Sequence, residues 1–478
     1  MQSDFDLIII GAGISGINAA QRIQTSAPGC DYTILEARDT LGGTWALFKY
    51  PGIRSDSDLF TFGFAWKPWS GSTRFANGQQ ITDYMTEAAQ EYGIDKKIQY
   101  NQTVTALDWS SEKAIWSIKV DTAEGHRSLT AKFVILGTGY YNYHEPLKAD
   151  VAGIQNFKGK VVYPQFWPED LDYKNKKVVI VGSGATAITL LPNMADKAAK
   201  VTMLQRSPSY VMTLPNKVPK YPSWVPKLLV FSISYIRYLI LPYIFVTFCR
   251  TFPNAARKMI RKRTMEELPS TLPHDPHFNP TYNPWEQRLC MSPDGDFFKS
   301  IRDGKANVVT GKIANMTRNS VQLDSGDSLE ADIVVLATGL KLQMAGGAKI
   351  TVDGTPINIG KKYIWRGVML QDVPNCAFVI GYTSASWTLG ADCTALVVCR
   401  LLKQLEQRNS RFVVARAKDG EALKEVSVLN LTSTYVKKAQ SELPRASETG
   451  PWQARSNYFR DYLFAKFGAL SADGLEYK

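Results

Sequence analysis

The chain lacks a CxxC pair. Its six cysteines, Cys30, Cys249, Cys290, Cys376, Cys393 and Cys399, are scattered through long globular sequence. That spacing removes a redox-active dithiol, argues against a disulfide framework and fits reduced thiols in a cytosolic protein. The four histidines, His126, His144, His274 and His277, show no zinc-ligand spacing, so no bound metal is expected. The N-terminus has no basic leader: the first apolar run, Leu7 to Ile10, enters directly into Gly11-Ala12-Gly13 and reads as the first strand of a fold, not as a signal peptide. Acidic residues are the minority, 44 against 56 Lys and Arg, for a net charge of +12. That excess favours anionic partners such as dinucleotide phosphates or a membrane surface. No stretch reads as a nucleic-acid module, so nucleic acid is not an expected partner.

The 478 residues are 45% hydrophobic and 21% charged, enough apolar material for about three ordinary domains. Two strand–glycine–helix units dominate. The first is Asp6-Leu-Ile-Ile-Ile10, then Gly11-Ala-Gly13-Ile-Ser-Gly16 and a helical pattern. The second is Lys177-Val-Val-Ile-Val181, then Gly182-Ser-Gly184-Ala-Thr-Ala187 and a second helical pattern. Short β-branched runs between glycines predict buried parallel strands. Two further runs end alike, Phe133-Val-Ile-Leu-Gly-Thr138-Gly139 and Ile333-Val-Val-Leu-Ala-Thr338-Gly339, and each is read as the strand returning beneath one unit.

In the first unit the glycines permit a tight turn and a close approach to pyrophosphate, and the helix N-terminus offers N–H groups to the anion. A lone GxGxxG is weak. Here a second strand follows and ends on Glu36, twenty residues beyond Gly16 (36 − 16), where a carboxylate meets a ribose diol. In the second unit Ala187 takes the third small position, and the next strand ends in Arg206 where an NAD-specific fold would present an acid. A ribose 2′-phosphate needs a cation, so Arg206 favours NADPH. Two dinucleotide folds in one chain imply hydride transfer from nicotinamide to flavin. Disulfide reductases would need the missing cysteine pair, whereas flavin monooxygenases need no protein nucleophile.

Residues 228–249 form a long apolar run, followed by Arg257, Lys258, Arg261, Lys262 and Arg263. Arg237 and Pro242 are expected to interrupt it and to disfavour a spanning helix. Two readings stay open: a peripheral membrane contact through 228–263, or, favoured, a helix buried against the core with a solvated basic helix after it.

The stretch Gly42-Gly43-Thr44-Trp45, then Tyr50-Pro51-Gly52, then Asp56 resembles the longer signature of the Baeyer–Villiger monooxygenases at every specified position. Phe157-Lys-Gly159 through Trp167-Pro168 resembles the shorter signature except at Tyr163, where the family carries histidine. Tyr50 to Asp58, Trp167 to Tyr173, Tyr282 to Cys290 and Gly381 to Thr388 are similar to the ethionamide-activating branch of that family. The resemblance implies FAD at the first unit, with Gly43, Thr44 and Trp45 beside it, and NADPH at the second. It implies a C4a-peroxyflavin that inserts one oxygen atom from dioxygen into a ketone or aldehyde, or oxygenates sulfur or nitrogen. By motif position it implies Arg288 as the catalytic arginine, with Asp56 to orient and compensate it. Trp45, Tyr50 and Trp387 are read as aromatic lining of the flavin pocket. Tyr163 keeps a ring and a hydrogen-bonding tip but cannot be cationic near neutral pH. It is the one feature that favours an uncoupled NADPH oxidase.

The expected fold is α/β, with two Rossmann-like dinucleotide-binding domains and a helical insertion. Residues 1–142 and 341–478 are assigned to the FAD domain, 143–212 and 292–340 to the NADPH domain, and 213–291 to the insertion.

Overall fold

The computed structural model describes residues 3–218, 222, 224–418, 423–429, 431–470 and 474–478. Strand β1 (Phe5–Ile10) is buried over its last four residues, as a strand covered on both faces must be. Helix α1 (Ile14–Ser26) follows, then β2 (Tyr32–Leu35), parallel to β1. On the other side of β1 lies β3 (Gly125–Leu136), also parallel, so the first Thr–Gly strand returns next to the first strand. The late strand Cys376–Phe378 joins the far side of β3. Thr103–Ser110 and Ile115–Thr122 extend the same sheet as an antiparallel meander.

The helix Trp387–Arg408 packs on α1 through a buried polar clamp. Arg22 donates to both oxygens of Asp392 at 2.7 and 3.0 Å, and Asn18 Nδ2 donates to Asp392 Oδ1 at 3.2 Å. Asp392 is only 5% exposed, so each of these donors offsets the desolvation of its charge.

The second sheet is parallel throughout. Its order in space is Ala306–Thr310, β5 (Lys200–Gln205), β4 (Lys177–Val181), β6 (Ile333–Leu336) and Lys160–Val162. Helix α2 (Ala185–Ala195) follows β4, and its Ala187, Leu190 and Leu191 enter the core beneath the sheet.

Between the arms of this second fold, Val211–Leu214 pairs in parallel with Cys290–Pro293 and closes the base of the insertion. From that base rise α3 (Lys227–Thr251) and α4 (Pro253–Glu267). Two expectations are corrected here. Pro242 lies inside α3 without breaking it. A proline removes one donor and crowds one carbonyl, and a 25-residue helix retains enough other bonds to run through it. Nor is α3 enclosed by the core: one side packs on it, but only 17% of the residues in its most apolar stretch are buried.

Candidate active site

Two glycine turns open onto one cavity of about 1200 Å3. Gly11, Gly13, Glu36, Gly43, Thr44, Trp45 and Asp56 line it from the first fold, and Gly182, Gly184 and Arg206 from the second. A pocket for one drug-sized ligand is about 300–1,000 Å3. This volume is therefore on the scale needed for more than one such ligand.

The local chain explains each cradle. Gly13 is the N-cap of α1 and Gly184 that of α2, and neither helix has a side-chain cap or an acid in its first turn. The leading N–H groups of both helices are thus left for an anion in the cavity, which suits the pyrophosphates of FAD and of NADPH. Gly43, at φ +58°, comes so near that a Cβ on it would lie 3.1 Å from the Cα of Gly13. Gly16 and Ala187 do not line the cavity. They are packing positions: Ala187 is fully buried, and Gly16 meets the Gly11 carbonyl.

Glu36 is 5% exposed at the end of β2. Its Oε2 accepts the Ala12 N–H at 2.7 Å and its Oε1 accepts the Arg38 N–H at 3.1 Å. The carboxylate therefore braces the first turn while its edge reaches the cavity, where a ribose hydroxyl can donate to it. The hydroxyl of Thr338 on the second fold is buried, lines the same cavity and has no hydrogen-bond partner. Such an orphan fits a polar ligand group. Both cradles fit dinucleotides.

Between them sit the charged pair and its aromatic surround. Arg288 Nη2 donates to Asp56 Oδ1 at 2.9 Å and to Ser57 Oγ at 3.3 Å. Among the described residues these are its acceptors, which leaves Nε and Nη1 without a protein partner. The side chain is 40% exposed and forms part of the cavity wall. The Asp56 charge holds the guanidinium above its ordinary pKa against the opposing effect of burial, so Arg288 stays cationic. Burial raises the phenols of Tyr140, Tyr141 and Tyr435, which face this charge as neutral groups. Tyr140 stacks on Trp387 at 4.8 Å and 13°, and Trp387 Nε1 donates to Ser15 Oγ at 3.0 Å. Trp45 meets Phe62 edge-on at 5.5 Å, and the Thr44 and Tyr143 hydroxyls lie 3.0 Å apart. Tyr50 is 7% exposed and also lines the cavity.

Sequence reasoning missed the segment around Thr432–Lys438. Thr432 binds the Glu286 carbonyl through both its N–H and its hydroxyl at 3.1 Å, which anchors the loop carrying Arg288. Thr434 Oγ1 accepts from Arg206 Nη2 at 3.3 Å. The same short segment thus reaches both cationic positions, from 228 residues away in the case of Arg206. No motif marks it. Tyr140 and Tyr141 were within reach, because they directly follow the Thr138-Gly139 strand end.

All six cysteines are free. Burial pushes the thiols of Cys30, Cys290, Cys393 and Cys399 up to about 12, so each stays protonated near neutral pH.

Residues 8–220 match the pyridine nucleotide-disulphide oxidoreductase family. The chain is 41% identical over 481 residues to the FAD-containing monooxygenase EthA of Mycobacterium tuberculosis, covering 100% of this chain and 98% of that protein. It is 41% identical over 466 residues to the probable FAD-binding monooxygenase AlmA of Acinetobacter baylyi, covering 96% and 93%. The crystal structure of OTEMO complexed with FAD and NADP superposes with a TM-score of 0.75 over 100% of both chains at 17% identity, a likeness of fold.

Proposed function

Because the chain belongs to the FAD-containing monooxygenase family, we propose that it oxidises a ketone or aldehyde to an ester or lactone at the expense of NADPH. The observation that carries this reading is the Arg288–Asp56 pair, set in a cavity shared by both dinucleotide cradles. When bound, flavin supplies the electrons that activate dioxygen. The protein's own residues do the rest. Arg288 offers Nε and Nη1 to the negative charge that develops on the carbonyl oxygen as an oxygen atom adds to the carbonyl carbon. The charge collapses as one substituent breaks from that carbon and bonds to the added oxygen, the second atom of dioxygen leaving as water. Asp56 holds that guanidinium in place and compensates its charge. Tyr140, Tyr141, Trp387 and Tyr435 wall the site with rings and exclude water from it.

FAD is assigned to the cradle of Gly11, Gly13, Glu36, Gly43, Thr44 and Trp45, and NADPH to that of Gly182, Gly184 and Arg206. The division follows the two sheets: 1–142 with 341–478 for FAD, 143–212 with 292–340 for NADPH, and 213–291 as the insertion. Arg206 is the proposed contact of the 2′-phosphate. Arg206→Gln should raise KM for NADPH about 10- to 100-fold, the worth of a charge-assisted hydrogen bond of ~1.5–3 kcal/mol. KM for NADH and kcat should stay within about twofold. Equal losses with both nucleotides would assign Arg206 to structure instead.

The direct test follows product and reductant together. FAD-loaded enzyme, given NADPH and labelled dioxygen, should put one labelled oxygen atom into a cyclic or linear ketone for each NADPH consumed. Consumption with hydrogen peroxide as the sole oxygen product, whatever compound is added, would sink the reading.

A second reading is favoured by Tyr163. It ends the edge strand Lys160–Val162 of the second sheet and packs with the apolar cluster that includes Val161 and Phe157, outside the cavity wall. Its influence is therefore on how the second fold is held, not on contact with substrate. If Tyr163 limits coupling, Tyr163→His should raise product per NADPH with KM for NADPH little changed. If sulfides but not ketones accept the label, heteroatom oxygenation is the activity, carried by the same cavity.

A further inference from the structure

Helix α3 presents an apolar stripe to solvent. Leu229, Ile233, Ile236, Ile240, Leu241 and Ile244 are 50, 41, 54, 39, 51 and 55% exposed. Spacings of three and four residues, with Leu241 directly after Ile240, put them along one side of the helix, where Arg237 is also exposed. The opposite side is fastened to the protein. Phe231, Tyr235 and Leu239 pack on the first core, Tyr238 stacks on Phe60 at 5.3 Å, and Val246 and Cys249 are buried further along. The stripe continues onto the helix Tyr458–Phe467, where Leu463 is 59% and Phe467 76% exposed. Tyr243 joins the two helices, meeting the Phe459 ring at 5.2 Å and accepting from Asn457 Nδ2 at 3.2 Å. A helix that is apolar all round normally finds apolar surroundings, and a continuous exposed apolar face marks an interaction surface.

Charge identifies the occupant. From Lys227 to the end of α4 there are eight Lys and Arg and two acids, Glu266 and Glu267, the second of which is paired with Arg302. Arg250, Lys258, Lys262 and Arg263 are exposed and make no ion pair among the described residues. We propose that this face docks on the surface of an anionic lipid bilayer, with α3 lying in the interface and the basic flank of α4 against the headgroups. Anionic headgroups neutralise these unpaired cations, whereas a second copy of the chain carries the same excess of positive charge and offers them no counter-charge. Spanning is ruled out by the fold. The chain before and after the insertion is held in one pair of strands, Val211–Leu214 and Cys290–Pro293, and one side of α3 is packed along its length. Only the exposed stripe is free to enter the apolar phase, as in an interfacial helix. The docking holds whichever substrate the enzyme takes.

Flotation of the FAD-loaded full-length protein decides it. It should rise with vesicles of phosphatidylcholine mixed with phosphatidylglycerol, and much less with phosphatidylcholine alone. Ile236→Asp with Ile240→Asp should lower the floated fraction at least about tenfold, since both side chains would enter the apolar layer. Both positions are solvent-exposed, so flavin content and NADPH oxidation serve as checks of folding. Lys262→Glu with Arg263→Glu, on a separate helix, should abolish the preference for anionic vesicles. Wild-type protein that stays at the bottom of every gradient would overturn the proposal. So would flotation unchanged by both double variants, or a dimer in light scattering that Ile236→Asp dissociates while no vesicle binds.

Discussion

Arg288→Ala should lower oxygenated product about 10²- to 10³-fold, the usual cost of removing one donor to a developing oxyanion. NADPH consumption should continue and its electrons should appear as hydrogen peroxide. The two-part outcome follows from where Arg288 stands. It lines the cavity between the cradles but is not one of the glycine turns or helix N-termini that receive the dinucleotides. Removing it also leaves Asp56 without its cation. Asp56 is 28% exposed, so water takes over part of that loss and the fold should survive. Arg288→Lys keeps the charge but not the planar fork that binds Asp56 while presenting other donors. It should recover part of the product, and the recovery measures how much of the effect is charge alone. If Arg288→Ala retains product per NADPH, the arginine is an anchor of its loop and the proposed mechanism fails.

Gly16→Ala should give colourless protein. A Cβ there would sit 1.9 Å from the Gly11 carbonyl oxygen and 3.1 Å from its carbon, both backbone atoms that cannot swing aside. Gly11 is itself held at φ +101°, and a Cβ on it would meet the Gly137 carbonyl oxygen at 2.8 Å. The turn between β1 and α1 is therefore squeezed against the end of β3. Opening it costs about 3 kcal/mol in overpacking and displaces the α1 N–H groups from the pyrophosphate. The expected readouts are loss of the flavin's visible absorbance and a lower Tm. Gly29→Ala is the matched control, because nothing lies within 4 Å of a Cβ at that position. A yellow Gly16→Ala protein with an unchanged Tm would show that the close approach is not needed.

How much of this was readable in advance depended on distance along the chain. The glycine turns, Glu36 and the paired strands are local patterns, in which a few consecutive residues set both backbone and ligand. The Arg288–Asp56 contact joins residues 232 apart and came only through a resemblance. Tyr435 and Thr434 carry no pattern at all, and only their packing brings them to the cavity.

The insertion separates the two levels most clearly. By itself the sequence determined that residues 228–249 are apolar, that a basic cluster follows, and that two dinucleotide cradles precede them. It did not determine which side of α3 the protein covers, nor that Pro242 would be absorbed within a single helix. Only the tertiary structure decided those points. An all-round apolar helix has no preferred face of its own, and its exposed side is whatever the neighbouring elements leave uncovered.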